Sequence, residues 1–453
     1  MLDAIDQVVS EFNSLVQIKK NIRIISHYDT DGITAAAIMI SALAKKDLKF
    51  STTIIKQLEK EFLNKLKNEI KNDEIVIFLD LGSSSLNKLC EFESPCFVFD
   101  HHEIPEEVDM ENVKKNKNIF FINPSLFNEE TSGAGLAYFF VRKLDEKNKE
   151  LSYLAVIGMV GDVLGNSLSR INNLILNESE VIVKRALTFF SATRPLHKSL
   201  EFSSDFYIPG VTGNSSGAIS LLREAGIDFK KGEIKTILDL TEEETSRLLT
   251  AIMLRRINVE DIGKELIGNV YLLRFFSKLE DIREVSSKIN ACSRQGHSDL
   301  AIAFCLGDKD AYSSAEKIHA AYKHEIIHGL EWVYKNKHIE EEGFVIINAK
   351  DNIKDEIIGV ILSILSASRI YPKDTILVGM ANQRERIKIS VRSTSRNKET
   401  NLQEIIKDVY KKCGGEGGGH PQAAGCIIPI ENEEMFIKEL LEHLKKEMIK
   451  IRI

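Results

Sequence analysis

Three largely apolar runs, Asn21–Ser26, Glu74–Leu79 and Pro95–Phe99, each stop on a group that binds protons or cations: His27, Asp80 and Asp100. A run that stays apolar rather than alternating fits a strand covered on both faces, as in a parallel sheet with helices above and below. Helical patterns at Ile33–Leu43, Leu58–Ile70 and Ala134–Leu144 alternate with these runs and with a fourth strand, Ile119–Asn123. Strand, helix, strand in repetition predicts an α/β fold, and open sheets of that class bind ligands at the carboxyl ends of their strands.

The residues at those ends are unusual as a set. In chain order they are His27-Tyr28-Asp29-Thr30-Asp31-Gly32, Asp80, Asp100-His101-His102, Asn123-Pro124, Ser132-Gly133 and Gly161-Asp162. Taken singly, Asp29-x-Asp31-Gly32 also fits a turn or a helix N-cap, and Asp80 fits a cap. Three consecutive polar groups at 100–102, by contrast, must all find partners or water. Carboxylates mixed with imidazoles, with no cysteine nearby, suit Mn or Mg better than a thiolate-selecting ion. Two hydrolytic metals about 4 Å apart need a shared ligand, and an isolated aspartate such as Asp80 fits that place.

With these residues the chain resembles the DHH phosphoesterases, and within them the archaeal RecJ-like single-strand exonucleases. The likeness rests on the triplet Asp100-His101-His102, on His27, Asp29 and Asp31, on Leu79-Asp80-Leu81-Gly82 and on Gly161-Asp162-Val163. It continues near the C-terminus, where Gly414-Gly415-Glu416-Gly417-Gly418-Gly419-His420-Pro421 matches the signature of the DHH-associated domain. The resemblance implies a parallel-sheet DHH catalytic domain and a C-terminal α/β DHH-associated domain joined by a helical linker region. It implies two Mn2+ ions, with Mg2+ as the alternative: one on His27, Asp29 and Asp80, the other on Asp31, Asp80, His101 and Asp162. Asp100 and His102 are the implied catalytic pair, with His102 facing the phosphate. Many members place the first histidine four residues before the first aspartate; His27 stands two before Asp29.

Substrate contacts are sought among cations and glycines. A net charge of −7 argues against indiscriminate nucleic-acid binding, which needs clustered Lys and Arg. Arg384, Arg386, Lys388, Arg392, Arg396 and Lys398 nevertheless crowd a predicted hairpin over Ile376–Thr394 and the residues just beyond it. In a strand Arg384, Arg386 and Lys388 share one face, which fits either a phosphate backbone or a charged edge strand that discourages aggregation. Glycines at 414–419 let backbone N–H groups approach an anion; the plainer reading is a flexible loop between a helix at Leu402–Lys412 and a strand at Ala423–Pro429. Gly417, Gly418, Gly419 and His420, with Arg392 as a weaker companion, are the expected substrate-binding residues.

At 453 residues and 43% hydrophobic the chain exceeds one ordinary core. The expected domains are 1–195 (catalytic), 196–265 (helical linker) and 266–453 (DHH-associated, including a further α/β portion). That portion reads as strand Val270–Phe275, helix Asp281–Ser293, strand Leu300–Leu306, a long helix, strand Gly343–Asn348 and helix Asp355–Ser368. The long helix carries His324-Glu325-Ile326-Ile327-His328, a literal H-E-x-x-H zinc pattern. It lacks a metzincin extension and sits with His319, Lys317 and Lys323 on what reads as a partly solvated face. Six cysteines without a C-x-x-C pair suggest reduced thiols in the cytoplasm. Met1–Lys20 is amphipathic and acidic, unlike a signal peptide, and no run of roughly 18 apolar residues suggests a membrane span.

The expected function is metal-dependent phosphodiester hydrolysis, with single-stranded DNA or RNA digested from an end in replication or repair. Within the same fold, the alternatives are an oligoribonuclease or a cyclic-dinucleotide phosphodiesterase. From a different class comes a structural partner in a replication or RNA-processing complex.

Overall fold

Five strands, the central ones largely apolar, build the first sheet. They are β1 (Asn21–His27), β2 (Lys49–Ile55), β3 (Glu74–Leu79), β4 (Cys96–Phe99) and β5 (Ile119–Ile122), in the order β2-β1-β3-β4-β5 with every pairing parallel. The structure, a computed structural model, describes all residues except 20, 72, 166–167, 189, 204–206, 228–234, 256–266, 369, 395–400, 421–422 and 452–453. Arg396, Lys398 and Pro421 therefore lie outside the described residues.

Every residue of β3 and β4 is buried, because helices cover both faces of the sheet. These are α1 (Leu2–Val16), α2 (Thr30–Lys45), α3 (Lys60–Glu69), α4 (Leu86–Leu89), α5 (Met110–Lys115), α6 (Gly133–Leu144), α7 (Ser152–Gly161) and α8 (Arg170–Glu178). One face packs Phe12, Ile38, Phe97, Phe99, Phe140 and Ile157 together; the other packs Leu63, Leu66, Val76, Phe78, Leu89 and Val98. The amphipathic N-terminus is α1, which turns Ile5, Val8, Val9 and Phe12 inward and sets the Phe12 ring edge-on to Phe97 and Phe140, at 5.4 and 5.3 Å. Strand β2 has no counterpart in the sequence reading. It is an edge strand with Lys49, Ser51 and Thr53 exposed, so it lacks the continuous apolar signal that marks its neighbours.

The chain continues through β6 (Ile182–Leu187), α9 (Leu196–Glu201), α10 (Ser215–Glu224), α11 (Glu242–Leu254), β7 (Ile267–Phe275), β8 (Lys278–Asp281), α12 (Ile282–Arg294), α13 (Ser298–Cys305) and α14 (Lys309–Lys335). It closes with β9 (Ile339–Glu341), β10 (Phe344–Lys350), α15 (Asp355–Ala367), β11 (Ile376–Gln383), β12 (Arg386–Ser393), α16 (Leu402–Lys412), β13 (Glu416–His420), β14 (Ala423–Pro429) and α17 (Glu433–Ile451). Strands β9 to β14 form a six-stranded sheet in the order β13-β14-β12-β11-β10-β9.

Two compact units result, 1–186 with 268–320, and 187–267 with 321–453, which differs from the expected division at 195 and 265. Residues 268–320 fold with the first unit because Tyr271, Phe275, Val285, Ile289 and Phe304 share one core with α2 and α7. The helical stretch after 195 is no free linker: the backbone N–H of Tyr207 donates to Ser368 Oγ at 3.1 Å, and the Tyr207 and Tyr334 rings lie 5.9 Å apart. The expected strand Leu300–Leu306 is helix α13, since Ala301, Phe304 and Cys305 fall at helical spacing on its buried side; a short apolar run does not declare its period.

The basic hairpin forms, with two differences. Arg384 sits in the turn at φ 57°, so it does not share a strand face with Arg386 and Lys388. Strand β12 is flanked by β11 and β14, so its cations are not the guard of a sheet edge. The glycine-rich segment is itself an edge strand, β13, rather than a flexible loop.

Candidate active site

Tight turns at the strand ends aim the polar side chains at one another. Asp29 N-caps α2, accepting from the Gly32 N–H at 3.1 Å, which fixes the turn that carries Asp31 one residue into the helix. Asp31 then reaches the N-terminus of α6, where Gly133 N–H and Ala134 N–H donate to its two oxygens at 2.5 and 3.0 Å; helix N-termini favour an anion there. Asp80 follows β3 in a left-handed backbone conformation, φ 58°, a strained state for a non-glycine residue that persists where surroundings over-determine it. Asp162 C-caps α7, and His101 follows β4 and Asp100.

These groups meet in a space a few ångströms across. His27 Nδ1 lies 3.0 Å from Asp29 Oδ2 and 3.2 Å from Asp80 Oδ2. His101 Nε2 lies 3.2 Å from Asp80 Oδ1, 3.0 Å from Asp162 Oδ2 and 3.9 Å from Asp31 Oδ2. Ligand atoms of His27, Asp29 and Asp80 fall within 4.8 Å of one another, as do those of Asp31, Asp80, His101 and Asp162, and a third group joins Asp80, His101 and His102. Asp80 belongs to all three and turns one oxygen to each histidine.

Charge explains why such a cluster suits a cation. Burial opposes charge on both imidazoles, yet hydrogen bonds and attraction from Asp29 and Asp80 push His27 up to about 11, and Asp162, Asp80 and Asp31 push His101 up to about 12. Burial and neighbouring carboxylates raise Asp31; burial above all raises Asp80, against the pull of His101 and His27. Asp29 is brought down to about 2, burial being outweighed by His27. Asp80 Oδ1 and Asp162 Oδ2 are buried without a well-aligned hydrogen-bond donor, although His101 Nε2 is within 3.2 Å of each. Lone pairs of nitrogen and oxygen converging on one point are costly unless a proton or a cation lies between them. The oxygen and imidazole donor set fits divalent Mn or Mg, and the cluster is able to hold a metal ion.

Asp100 stands outside the three groups, and His102 joins only the third. Asp100, buried, accepts from Ser83 N–H at 2.7 Å and lies 2.7 Å from His102 Nδ1. Burial is outweighed by His102 and Ser83, which hold the Asp100 carboxyl down at about 2. The Asp100 hydrogen bond raises His102 in turn. With 53% of its side chain exposed, His102 is the member of the group most open to solvent. Asn123, fully buried, donates to the His102 carbonyl at 2.8 Å and to Ser83 Oγ at 3.1 Å, locking the triplet's backbone.

Several supporting residues escaped the sequence reading. A Cβ on Gly158 would lie 2.4 Å from Asp31 Oδ1 and 2.6 Å from Ala134 Cβ, so only glycine lets α7 approach the cluster; glycines inside the apolar helix α7 were the available signal. Ser83 and Asn290 gave none. Asn290 and Ser286 on α12 clamp Thr30, through bonds of 3.0 and 2.9 Å from Thr30 N–H and Oγ1. Residues so far apart in sequence meet only by folding.

The second-unit residues form a separate group. The sheet ladder sets Arg392 and His420 opposite the same residue, Ala423. Arg392 donates to Ser363 Oγ at 3.0 Å, and Gly417, Gly418 and Gly419 are exposed. The zinc-like pattern stays outside every metal-competent group among the described residues: His324 and His328 are exposed, while Glu325 pairs with Lys354. His319 is buried, at 3.0 Å from Ser287 Oγ, and so is not part of a solvated face.

Residues 21–160 match the profile of the DHH family, N-terminal domain, residues 188–269 the DHH-CID domain, and residues 342–446 the DHHA1 domain. The chain belongs to the DHH family. An uncharacterized protein of Methanocaldococcus jannaschii is 27% identical over 94% of both chains. YorK of Bacillus subtilis, a prophage-derived protein named as a single-strand DNA-specific exonuclease, is 26% identical over 53% of this chain, which spans 45% of that relative. Among solved structures, exonuclease RecJ bound to manganese aligns with 96% of this DHH-family chain and 93% of its own at 16% identity and TM-score 0.59. CDC45 from Entamoeba histolytica aligns with 98% and 99% at 12% identity and TM-score 0.69. At these identities the two structures establish the shared fold. Among the described residues no helix is long and apolar enough to cross a membrane.

Proposed function

We propose that this DHH-family chain is a metal-dependent phosphodiesterase that degrades single-stranded nucleic acid from an end. The observation that carries the reading is Asp80, shared by two sets of convergent donors and with one oxygen lacking an aligned donor. In this reading His27, Asp29 and Asp80 hold one ion and Asp31, Asp80, His101 and Asp162 the other, with Mn2+ in both and Mg2+ as the alternative. Such a pair of ions would supply, where bound, a nucleophile near neutral pH and neutralisation of charge at the reacting phosphate. Asp31 holds its direction through the α6 N-terminus. His102, oriented through Nδ1 by Asp100, whose hydrogen bond also raises its affinity for a proton, donates from Nε2 to a phosphate oxygen. Arg392, Gly417, Gly418, Gly419 and His420 bind the strand.

The exonuclease name of YorK and the manganese of the RecJ structure support this choice over a cyclic-dinucleotide phosphodiesterase or an oligoribonuclease. A purely structural partner in a replication or RNA-processing complex has no use for a buried carboxylate cluster that costs stability. The six free thiols suit the cytoplasm.

The test is digestion of end-labelled single-stranded DNA and RNA, blocked in turn at the 5′ or 3′ end, with Mn2+, Mg2+ or EDTA. Metal-dependent shortening from one end is the expected result and gives polarity and sugar preference together. No cleavage of any strand under any condition overturns the exonuclease.

A further inference from the structure

Tyr28 stands between two members of the cluster, His27 and Asp29, but contributes to neither set of donors. Its ring lies edge-on to the His27 imidazole, with centroids 5.0 Å apart. Two exposed cations from distant parts of the first unit approach the same ring: Lys56 Nζ from the end of β2 at 5.9 Å and Arg294 Cζ from the end of α12 at 6.0 Å. Neither is ion-paired among the described residues. The ring also opens onto a cavity of about 670 Å³ whose wall includes Thr52, Ile54, Lys56, Ser298 and Asp299. Thr52 Oγ1 is buried there without a hydrogen-bond partner.

We propose that Tyr28, Lys56 and Arg294 form a nucleotide subsite beside the metal cluster. In it the base of the unit adjoining the scissile phosphate stacks on Tyr28 and enters the cavity, while Lys56 and Arg294 hold its phosphate. The proposal rests on the phosphodiesterase reading for the identity of the ligand. Three features carry it. Both cations lie over the ring at 5.9 and 6.0 Å from its centroid, near the outer limit of a cation–π contact, and both are carried by exposed, flexible side chains whose shifts admit a planar base. Aromatic rings with adjacent cations are how single strands are bound without regard to sequence. The cavity has the volume of a small-ligand site, with Ile40, Ile54, Ile55 and Ile302 among polar residues in its wall and one unsatisfied hydroxyl to meet a base edge. Asp299, the acid on that wall, is exposed and repels phosphate from its own part of the wall.

Binding is read by fluorescence anisotropy of a labelled ten-nucleotide single strand, with Ca2+ as the divalent ion and a phosphorothioate backbone to prevent cleavage. Tyr28→Leu weakens binding about tenfold or more and Tyr28→Phe less than twofold, because stacking needs the ring and not the hydroxyl. Lys56→Ala combined with Arg294→Ala, both at exposed positions, lowers the slope of log affinity against log salt by about 1.4, counting 0.7 for each of two phosphate contacts. This pair also carries the test if Tyr28→Leu fails to fold. Equal affinity of Tyr28→Leu and wild type, an unchanged salt slope in the double variant, or no binding by wild type each overturns the subsite. Hydrolysis is scored separately in Mn2+: a wild type that binds through Tyr28 but cleaves nothing overturns the phosphodiesterase and leaves the subsite standing.

Discussion

The cluster at the ends of β1, β3 and β4 and the glycine-rich strand β13 both depend on glycine, but differ in what the glycines leave open. At the cluster, glycines make room for charge: a Cβ on Gly133 or Gly158 would lie within 3 Å of Asp31 or Asp80 side-chain atoms, in a region where Asp31 and Asp80 are at most 1% exposed. On β13 the glycines are exposed; a Cβ on Gly418 would meet nothing within 4 Å, whereas on Gly417 and Gly419 it would meet β14 at 2.6 and 2.5 Å. Fixed charges that must not move are set in a packed scaffold, whereas Gly418 leaves an open surface that, under the proposed function, meets a flexible strand. Replacement therefore carries a stability cost at Gly133 or Gly158 and, under the same reading, a binding cost at Gly418.

Five expected outcomes test that contrast. Asp80→Ala removes both donor sets' common member and drops hydrolysis roughly 10³-fold, with calorimetric metal stoichiometry falling from two to none; retention of a tenth of the activity breaks the bridging role. Asp100→Asn leaves the stoichiometry intact but costs about 10–100-fold, since it frees His102 from its orienting partner; loss of metal binding would place Asp100 inside the cluster instead. Gly158→Ala lowers activity about tenfold and thermal stability by roughly 1–3 kcal/mol, because Asp31 or α6 must shift; an unshifted melting curve would show slack in the scaffold. Loading both ions at pH 7 releases protons, since neighbouring carboxylates raise His27 and His101 in the cation-free protein whereas imidazoles are neutral as ligands. Apparent metal affinity accordingly rises with pH, and titration in buffers of different ionisation enthalpy that gives no proton release removes both histidines from the ligand set. The smallest effect is Gly418→Ala, which leaves stability within ~0.5 kcal/mol and raises KM for oligonucleotides a few-fold; an unchanged KM denies β13 a substrate role.

Much of the first sheet was legible because its strands carry the plainest signal a chain can give, unbroken apolar runs ending in charge. Of the helices around it, α1, α2, α3 and α6 were visible as well, whereas α4, α5, α7 and α8 were not read; elsewhere α11 opens on Thr241 and Glu244, whose T-x-x-E spacing forms a capping box in the structure. Edge strand β2 was not legible, since half-exposed residues alternate weakly. Neither was α13, whose seven apolar or small residues suit a strand as well as a helix. Around the cluster the donors were named by type and order, but their supports were not: Ser83, Gly158, Ser286 and Asn290 carry no chemistry of their own and act only through what they touch.

By itself the sequence determined the α/β alternation, the inventory of carboxylates and imidazoles and their position at strand ends, because local period and residue type suffice for that. Tertiary structure decided that 268–320 shares the first unit's core, that Asp80 divides its oxygens between His27 and His101, and that Lys56 and Arg294 reach Tyr28 from both ends of the unit. Each of these is a contact between residues tens to hundreds of positions apart. Such contacts are fixed by how buried faces fill one core, and no local pattern encodes them.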